Sequence, residues 1–249
     1  MIRTTPINDG AANSSEATAV GRLIAIGDVH GCRAALQALL AQIQPTRLDT
    51  IVTLGDYIDR GPDSKGVLET LLALRNQCHL VPLLGNHEAM LFSARSSQAM
   101  FQRWLTYGGL ATLASYQADD LHVMPLEHSS FLDSCRLYYE TATHFFIHAN
   151  YDPTLPLGAQ NEDIALSLSL FGRVPGPHLS GKTAIVGHTA QLTGEILDLG
   201  YLKCIDTNCW DGGWLTAIDV GSGQVWQARE SPALLAGGLD LPLGRSGIC

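Results

Sequence analysis

From Arg22 onward the chain alternates short apolar runs with amphipathic stretches. Leu23-Ile24-Ala25-Ile26 stops at Gly27-Asp28, and a run this short between polar residues predicts a buried strand. Leu36, Leu39, Leu40 and Ile43 then fall at i, i+3, i+4 and i+7, one face of a helix that Pro45 ends. Ile51-Val52-Thr53-Leu54 predicts a second strand and also stops at Gly-Asp, Gly55-Asp56. Asp63 or Ser64 can cap a second helix, with Val67, Leu68, Leu71 and Leu72 on its inner face. Leu80-Val81-Pro82-Leu83-Leu84 predicts a third strand, made the least regular by Pro82, which ends at Gly85-Asn86-His87-Glu88. Strand, helix, strand, helix, strand is the pattern of a parallel α/β layer.

The second half is richer in strands. Residues 89–134 predict helices, with Met100, Phe101, Trp104 and Leu105 as an apolar face packed into the core. Leu137-Tyr138-Tyr139 and Phe145-Phe146-Ile147 predict a hairpin, with His148 at its end. A Pro/Gly/Asn loop over 150–162 could border a site. Ala184-Ile185-Val186 ends in Gly187-His188-Thr189, and Lys203-Cys204-Ile205-Asp206 follows. Trp214–Asp219 and Gln224–Trp226 form a last hairpin about Gly221-Ser222-Gly223. With no internal repeat and no linker, residues 22–249 are expected to be a single domain. Residues 1–21, rich in Asn, Ser, Ala and Thr, read as a flexible tail without the apolar core of a signal peptide; the sequon at Asn13 carries little weight there.

Composition narrows the class. A chain of 249 residues can bury roughly 70–75% of its unfolded surface and needs no staples. With 46% apolar and 16% charged residues it is globular rather than disordered. No apolar run is long enough for a membrane-spanning helix. A net charge of -9 argues against non-specific nucleic-acid binding, although a bound cation can reverse the local sign for an anionic substrate. Six cysteines without CxxC spacing read as free thiols of a reducing cytoplasm, with a local bridge or weak metal site at Cys204/Cys209 as the alternative.

Sites in parallel sheets form beyond the carboxyl ends of strands. Here those ends carry Asp28/His30, Asp56/Asp59/Arg60 and Asn86/His87. One strand–Gly–polar junction would be turn chemistry. Three in register, all bearing metal-ligand side chains and joined by His148 and His188, point to a metal site. Carboxylate, imidazole and amide oxygen together suit Mn²⁺, Fe²⁺ or Zn²⁺. There are more such groups than one ion needs. A carboxylate can bridge two ions roughly 3.5–4 Å apart, the clamp used for in-line displacement at phosphorus, and such a pair lowers the pKa of a shared water. Arg60 offers a planar fork for phosphoryl oxygens. His87 can protonate a leaving group if a carboxylate fixes its tautomer.

Gly27-Asp28-Val29-His30-Gly31, Gly55-Asp56-Tyr57-Ile58-Asp59-Arg60-Gly61 and Gly85-Asn86-His87-Glu88 together resemble the three-part signature of the phosphoprotein phosphatase (PPP) family of calcineurin-like metallophosphoesterases. The resemblance runs from about Arg22 to Ala228. It implies an α/β fold of two mixed β-sheets packed as a sandwich and flanked by helices. It implies two divalent ions, Mn²⁺ first with Fe or Zn as alternatives. Asp28 and His30 would hold the first ion, Asp56 would bridge, and Asn86, His148 and His188 would hold the second. His87 would protonate the leaving oxygen with Asp59 orienting it. Arg60 would grip the phosphate beside Asn86, with Arg173 as candidate for a second phosphate-binding arginine.

The expected substrate is a phosphorylated protein or a small phosphoester, with no nucleic-acid or membrane partner. Hydrolysis of phosphoserine and phosphothreonine, with phosphotyrosine as a further substrate, is the leading reading. Symmetrical bis(5'-nucleosyl)-tetraphosphate hydrolysis is the second; 15 Lys+Arg in the whole chain is few for a polyphosphate. A module that binds phosphate without turnover is the third, and it would have no use for an acid such as His87.

Other features receive plain readings. Gly176–Thr183 satisfies GxxxxGK[ST] but precedes a strand instead of following one, so a nucleotide loop is not expected. His79, His122, His128, His144 and His178 are expected at surface or satisfied core positions. Trp210 is expected to pack in its turn, with contact to substrate as the alternative that the resemblance implies, and Glu88 to cap or brace the helix after its motif.

Overall fold

The computed structural model describes residues 21–121 and 124–230. Most of the N-terminal tail with its sequon, His122, and the end of the chain with Cys249 lie outside the described residues.

Along β1 (Leu23–Ile26), Ile24 and Ile26 pack to one side and Ala25 to the other, as the period of two along a strand requires. β1 pairs in parallel with β2 (Thr50–Thr53), and β2 with β3 (His79–Pro82). The opposite edge of β1 takes β10 (Trp214–Asp219) in antiparallel register. β11 (Val225–Ala228) and β9 (Asp206–Thr207) both pair with β10. A second sheet runs in the order β4 (Tyr138–Glu140), β5 (His144–Ile147), β6 (Thr183–Val186), β8 (Leu202–Cys204), β7 (Leu197–Asp198). Both sheets mix parallel and antiparallel pairs.

Three apolar layers follow from the alternation. Ala25, Val52, Leu54 and Val81 of the first sheet meet Phe146 and Ile185 of the second, filling the sandwich interior. Ile24, Ile26 and Ile51 face Leu36 and Leu39 of α1 (Arg33–Ile43) and Val67, Leu68 and Leu71 of α2 (Ser64–Leu74). Phe145, Ile147, Ala184 and Val186 form the outer face of the second sheet. Each fully buried large aliphatic side chain contributes roughly 1.5–3 kcal/mol, so a register slip of one residue in β1 would be prohibitive.

The local signals act where expected. Asp63 caps α2 by accepting from Gly66 N at 2.8 Å. Gln44 closes α1 in the left-handed region just before Pro45. Pro82 ends β3, an edge strand, where its missing N–H costs no bond to β2 and its carbonyl accepts from Arg136 N at 3.0 Å. The 150–162 loop ends in α7 (Glu162–Ser167). Gly176–Lys182 is a loop entering β6, with Lys182 paired to Glu140.

The helices expected over 89–134 are present but interrupted, and the place of Met100 is corrected. The stretch 89–134 is not evenly helical: α3 (Asn86–Ala94), α4 (Gln98–Trp104), a π-helical turn at Leu105–Gly109, α5 (Leu110–Ser115) and α6 (Leu126–Asp133) succeed one another. The break is Gly108, at φ 116°, where a Cβ would stand 2.8 Å from Arg60 N. A tertiary contact therefore overrides the helical pattern. Within that segment Met100 is exposed, although Trp104, one turn further along α4, is buried. The free-thiol reading holds for Cys32, Cys78, Cys135, Cys204 and Cys209, so Cys204 and Cys209 form no bridge, and the Cys204 thiol donates to the Gly187 and Thr189 carbonyls.

Candidate active site

The carboxyl ends of β1, β2, β5 and β6 and the N-terminus of α3 converge between the two sheets. Asp56 lies at the centre: its Oδ2 is 3.3 Å from His30 Nε2 and its Oδ1 is 3.6 Å from His148 Nε2. Two sets of side chains could each hold a metal ion, His30/Asp56/His87 and Asp56/His148/His188, with the donor atoms of each set within 4.8 Å of one another. Asp56 belongs to both, the position of a bridging carboxylate.

The outer nitrogens of the histidines fix which nitrogen faces inward. His30 Nδ1 donates to the Ile58 carbonyl at 3.0 Å and His148 Nδ1 to the Leu54 carbonyl at 2.7 Å. Neutral rings so bonded turn only a lone pair at Nε2 toward Asp56. His188 is reversed: Nε2 donates to the Ser167 carbonyl at 3.2 Å and Nδ1 points inward. Asn86 Oδ1 stands 3.0 Å from His148 Nε2 and 3.1 Å from His188 Nδ1. Three inward acceptors at this separation repel unless a cation lies among them.

Asp28 gives the same indication. Its Oδ2 accepts from His188 N at 2.9 Å, while Oδ1 is buried with no hydrogen-bond partner. Burial and the charges of Asp206 and Asp56 hold its carboxyl well above the usual range, a penalty that a cation would relieve. It stands outside both three-residue sets, where His87 takes its place. The oxygen- and nitrogen-donor set, the orphaned Asp28 oxygen and the shared carboxylate fit a pair of divalent ions. Gly187 is required here, since a Cβ on it would strike Asp28 Oδ1.

The backbone is held in costly conformations at these positions. Of the non-glycine residues with positive φ, His30 (42°), Asp56 (51°), Asp59 (71°), Arg60 (66°) and His188 (60°) all belong to the site. Such conformations cost on the order of 1–3 kcal/mol each and persist only where surrounding bonds over-determine them. Glu88 supplies several of those bonds. Besides bracing α3 through Gly85 N, its carboxylate accepts from the Asp56 and Tyr57 backbone N–H groups at 2.8 Å each.

His87 and Asp59 form a buried dyad, His87 Nδ1 to Asp59 Oδ2 at 2.7 Å, both side chains fully enclosed. His87 Nε2 has no protein partner. Burial pushes Asp59 up to about 7 and His87 down to about 3. Two further donors reach the same carboxylate: Trp104 Nε1 to Oδ2 at 2.8 Å and Thr112 Oγ1 to Oδ1 at 2.7 Å. Arg60 lies at the edge, its Nη1 donating to His30 Nε2 at 3.3 Å and its guanidinium 5.2 Å from the centroid of the Trp210 ring.

Asp28, His30, Asp56, Asp59, Arg60, Asn86, His87, His148 and His188 thus gather in one place. Arg173 does not join them. Its side chain is exposed, its carbonyl accepts from Asn150 Nδ2, and its charge acts on Asp152. Trp210 does pack in its turn, but against Arg60 and His30. His178 and His128 are satisfied core histidines, bonded to Ser180 with the Leu155 carbonyl and to Tyr116 respectively. Trp104 and Thr112 are absent from the sequence-derived site. A buried tryptophan must find an acceptor for its indole N–H, and that was the signal in the chain.

The calcineurin-like phosphoesterase family pattern matches residues 21–179. Serine/threonine-protein phosphatase 1 of Salmonella typhimurium is 35% identical over 201 residues, 77% of this chain and 88% of that protein. A symmetrical bis(5'-nucleosyl)-tetraphosphatase of Acidovorax sp. is 43% identical over 74 residues, only 29% of this chain and 25% of that one. The cold-active protein-tyrosine phosphatase of a Shewanella species shares the fold at a TM-score of 0.62 and 17% identity, over 85% of this chain and 81% of the other. With the family pattern matched over more than half of its length and a relative 35% identical along most of both chains, the chain belongs to the calcineurin-like phosphoesterases.

Proposed function

We propose that this protein is a dinuclear metal-dependent phosphomonoesterase acting on phosphoserine and phosphothreonine, and on phosphotyrosine where the side chain can enter. The observation that carries this reading is His87 Nε2, buried beside the cluster with no protein partner while Nδ1 is tied to Asp59. A proton donor so placed serves an ester whose alkoxide leaves poorly. Similarity to a serine/threonine phosphatase along most of both chains supports a protein substrate.

In this reading Asp28 and His30 would hold one ion, Asn86, His148 and His188 the other, and Asp56 both. Mn²⁺ is the leading candidate, with Fe and Zn also suited to the donors. Two such ions supply charge neutralisation at the phosphoryl group and a water acidic enough to attack at neutral pH. This chain does the rest. Arg60, steadied by Trp210, swings from His30 to the phosphoryl oxygens, with Asn86 beside it. Arg173, from the exposed loop, is the candidate second cation. Asp59 holds His87 so that Nε2–H faces the leaving oxygen, and the proton passes there as the P–O bond breaks.

The local match to a symmetrical tetraphosphatase favours a second reading, cleavage of a dinucleoside polyphosphate by the same residues. A comparison of kcat/KM for a phosphothreonine peptide and for diadenosine tetraphosphate, with Mn²⁺-loaded protein, decides between them. A clear preference for the dinucleotide would overturn the first reading.

A further inference from the structure

Asp59 depends on a segment that no strand-end motif includes. α4, the π-helical turn and α5 deliver three groups to it and its neighbour. Trp104 Nε1 shares Asp59 Oδ2 with His87 Nδ1, at 2.8 and 2.7 Å. Thr112 Oγ1 donates to Oδ1 at 2.7 Å, and the same hydroxyl oxygen accepts from Asp59 N at 2.9 Å. Ser64 Oγ lies 2.9 Å from Thr112 Oγ1 and also accepts from Asp59 N. Between Trp104 and Thr112, Gly108 O accepts from Arg60 N at 3.2 Å. Trp104 and Thr112 are fully enclosed, and the Trp104 ring rests on Gly109, where a Cβ would collide with it.

A carboxylate at the end of a rotatable bond can present either oxygen, or neither, to an imidazole. Here one donor holds each oxygen, so only one rotamer of Asp59 is satisfied. That rotamer aims Oδ2 at His87 Nδ1, and so leaves Nε2 as the nitrogen that meets substrate. We infer that Trp104 and Thr112 are positioning residues for protonation of the leaving group, acting on His87 through Asp59. The inference rests on the reading of His87 as the acid and adds the residues that make it one.

Losing one such bond costs about 1 kcal/mol net, about a fivefold effect, and more where the carboxylate then turns away. That loss should fall only on reactions that need the acid. The test uses the Mn²⁺-loaded full chain and two esters: an alkyl phosphate, whose leaving oxygen needs a proton, and 2,4-dinitrophenyl phosphate, whose leaving oxygen does not. His87→Asn should lower kcat on the alkyl ester by about 10²-fold or more and lower it far less on the dinitrophenyl ester. Trp104→Phe and Thr112→Val should each lower kcat on the alkyl ester about five- to tenfold, leave the dinitrophenyl ester within about twofold, and Thr112→Ser should restore it.

A readout independent of turnover is the His87 Nδ1–H proton resonance of the metal-free protein. It should move upfield in Trp104→Phe and Thr112→Val and return in Thr112→Ser. Equal losses on both esters, no loss on either, or an unmoved resonance would overturn the inference. If His87→Asn itself showed no dependence on the leaving group, the acid assignment would fall instead. Should Trp104→Phe not fold, the Thr112→Val and Thr112→Ser pair carries the test alone.

Discussion

Glu88 lies 32 residues beyond Asp56 in the chain, yet its Oε2 accepts the Asp56 backbone N–H at 2.8 Å while Oε1 accepts that of Tyr57 at the same distance. The carboxylate thereby fixes the left-handed turn that aims Asp56 between the two sets of histidines. Glu88→Gln replaces one acceptor oxygen by a donor and sets it against backbone N–H groups. It is expected to destabilise the fold by about 3 kcal/mol in urea unfolding and to cut turnover severely. Wild-type stability and turnover would show that the turn holds without it.

Removing the cations should be reversible. Dialysis against a chelator is expected to abolish phosphoester hydrolysis, with recovery on adding Mn²⁺. Elemental analysis of the loaded protein should find two ions per chain, and Asp56→Asn should lose both, because its carboxylate stands in both ligand sets. One ion in the wild type, or two retained in the variant, would remove Asp56 from the bridging position.

Asp59 and His87 set a pH limit. Burial raises the Asp59 carboxyl to about 7. Below that pH the pair keeps a second proton and His87 Nε2 carries its N–H; above it the proton leaves and the acid is lost. Turnover of an alkyl phosphate should therefore fall as pH rises through about 7, and Asp59→Asn should erase that limb. A profile that rises steadily to pH 9 in the wild type would contradict the assignment.

Stability at acid pH depends on a different carboxylate. Asp49 accepts from Arg22 Nε at 3.1 Å and Nη2 at 2.7 Å, and from Thr46 N at 2.8 Å. The Arg22 guanidinium beside it holds its carboxyl well below the ordinary range. A depressed folded value means that this stabilisation is complete above the unfolded value of about 3.9 and is lost as pH falls further. Asp49→Asn should cost about 2 kcal/mol at pH 7 and flatten the decline of unfolding free energy between pH 5 and 2.5. An unchanged slope would assign acid lability elsewhere.

Arg60 and Trp210 separate binding from chemistry. Arg60→Ala should raise both the KM for a phosphopeptide and the inhibition constant of inorganic phosphate by tenfold or more. Trp210→Leu, which removes the cation–π contact and the ring edge against His30, should raise them about threefold. Arg173→Ala should match the Arg60 variant if its guanidinium reaches the phosphate, and match wild type if it does not.

The strands and their ends were legible because their signals are local. Ile24-Ala25-Ile26 and Phe145-Phe146-Ile147 are too short for helices, and each is followed within two residues by Asp28 or His148, side chains of a type able to bind metals. The helical stretch after Glu88 is less legible. Its pattern puts Met100 in the core, yet Met100 is exposed, and it makes Trp104 a packing residue, yet the Trp104 N–H holds Asp59. Periodicity reports that a face is apolar, and it says nothing of what a polar atom within that face will meet.

Taken alone, the sequence determined the alternation that builds two sheets, the order of the elements, and the residue types able to bind cations and move a proton. These depend on near neighbours and on side-chain chemistry. Tertiary structure decided that His148 and His188 face Asn86, that Glu88 closes on the Asp56 turn, and that Trp104 and Thr112 lock the Asp59 rotamer. Such contacts join residues far apart in the chain, and only the packing of helices and sheets brings their atoms within bonding distance.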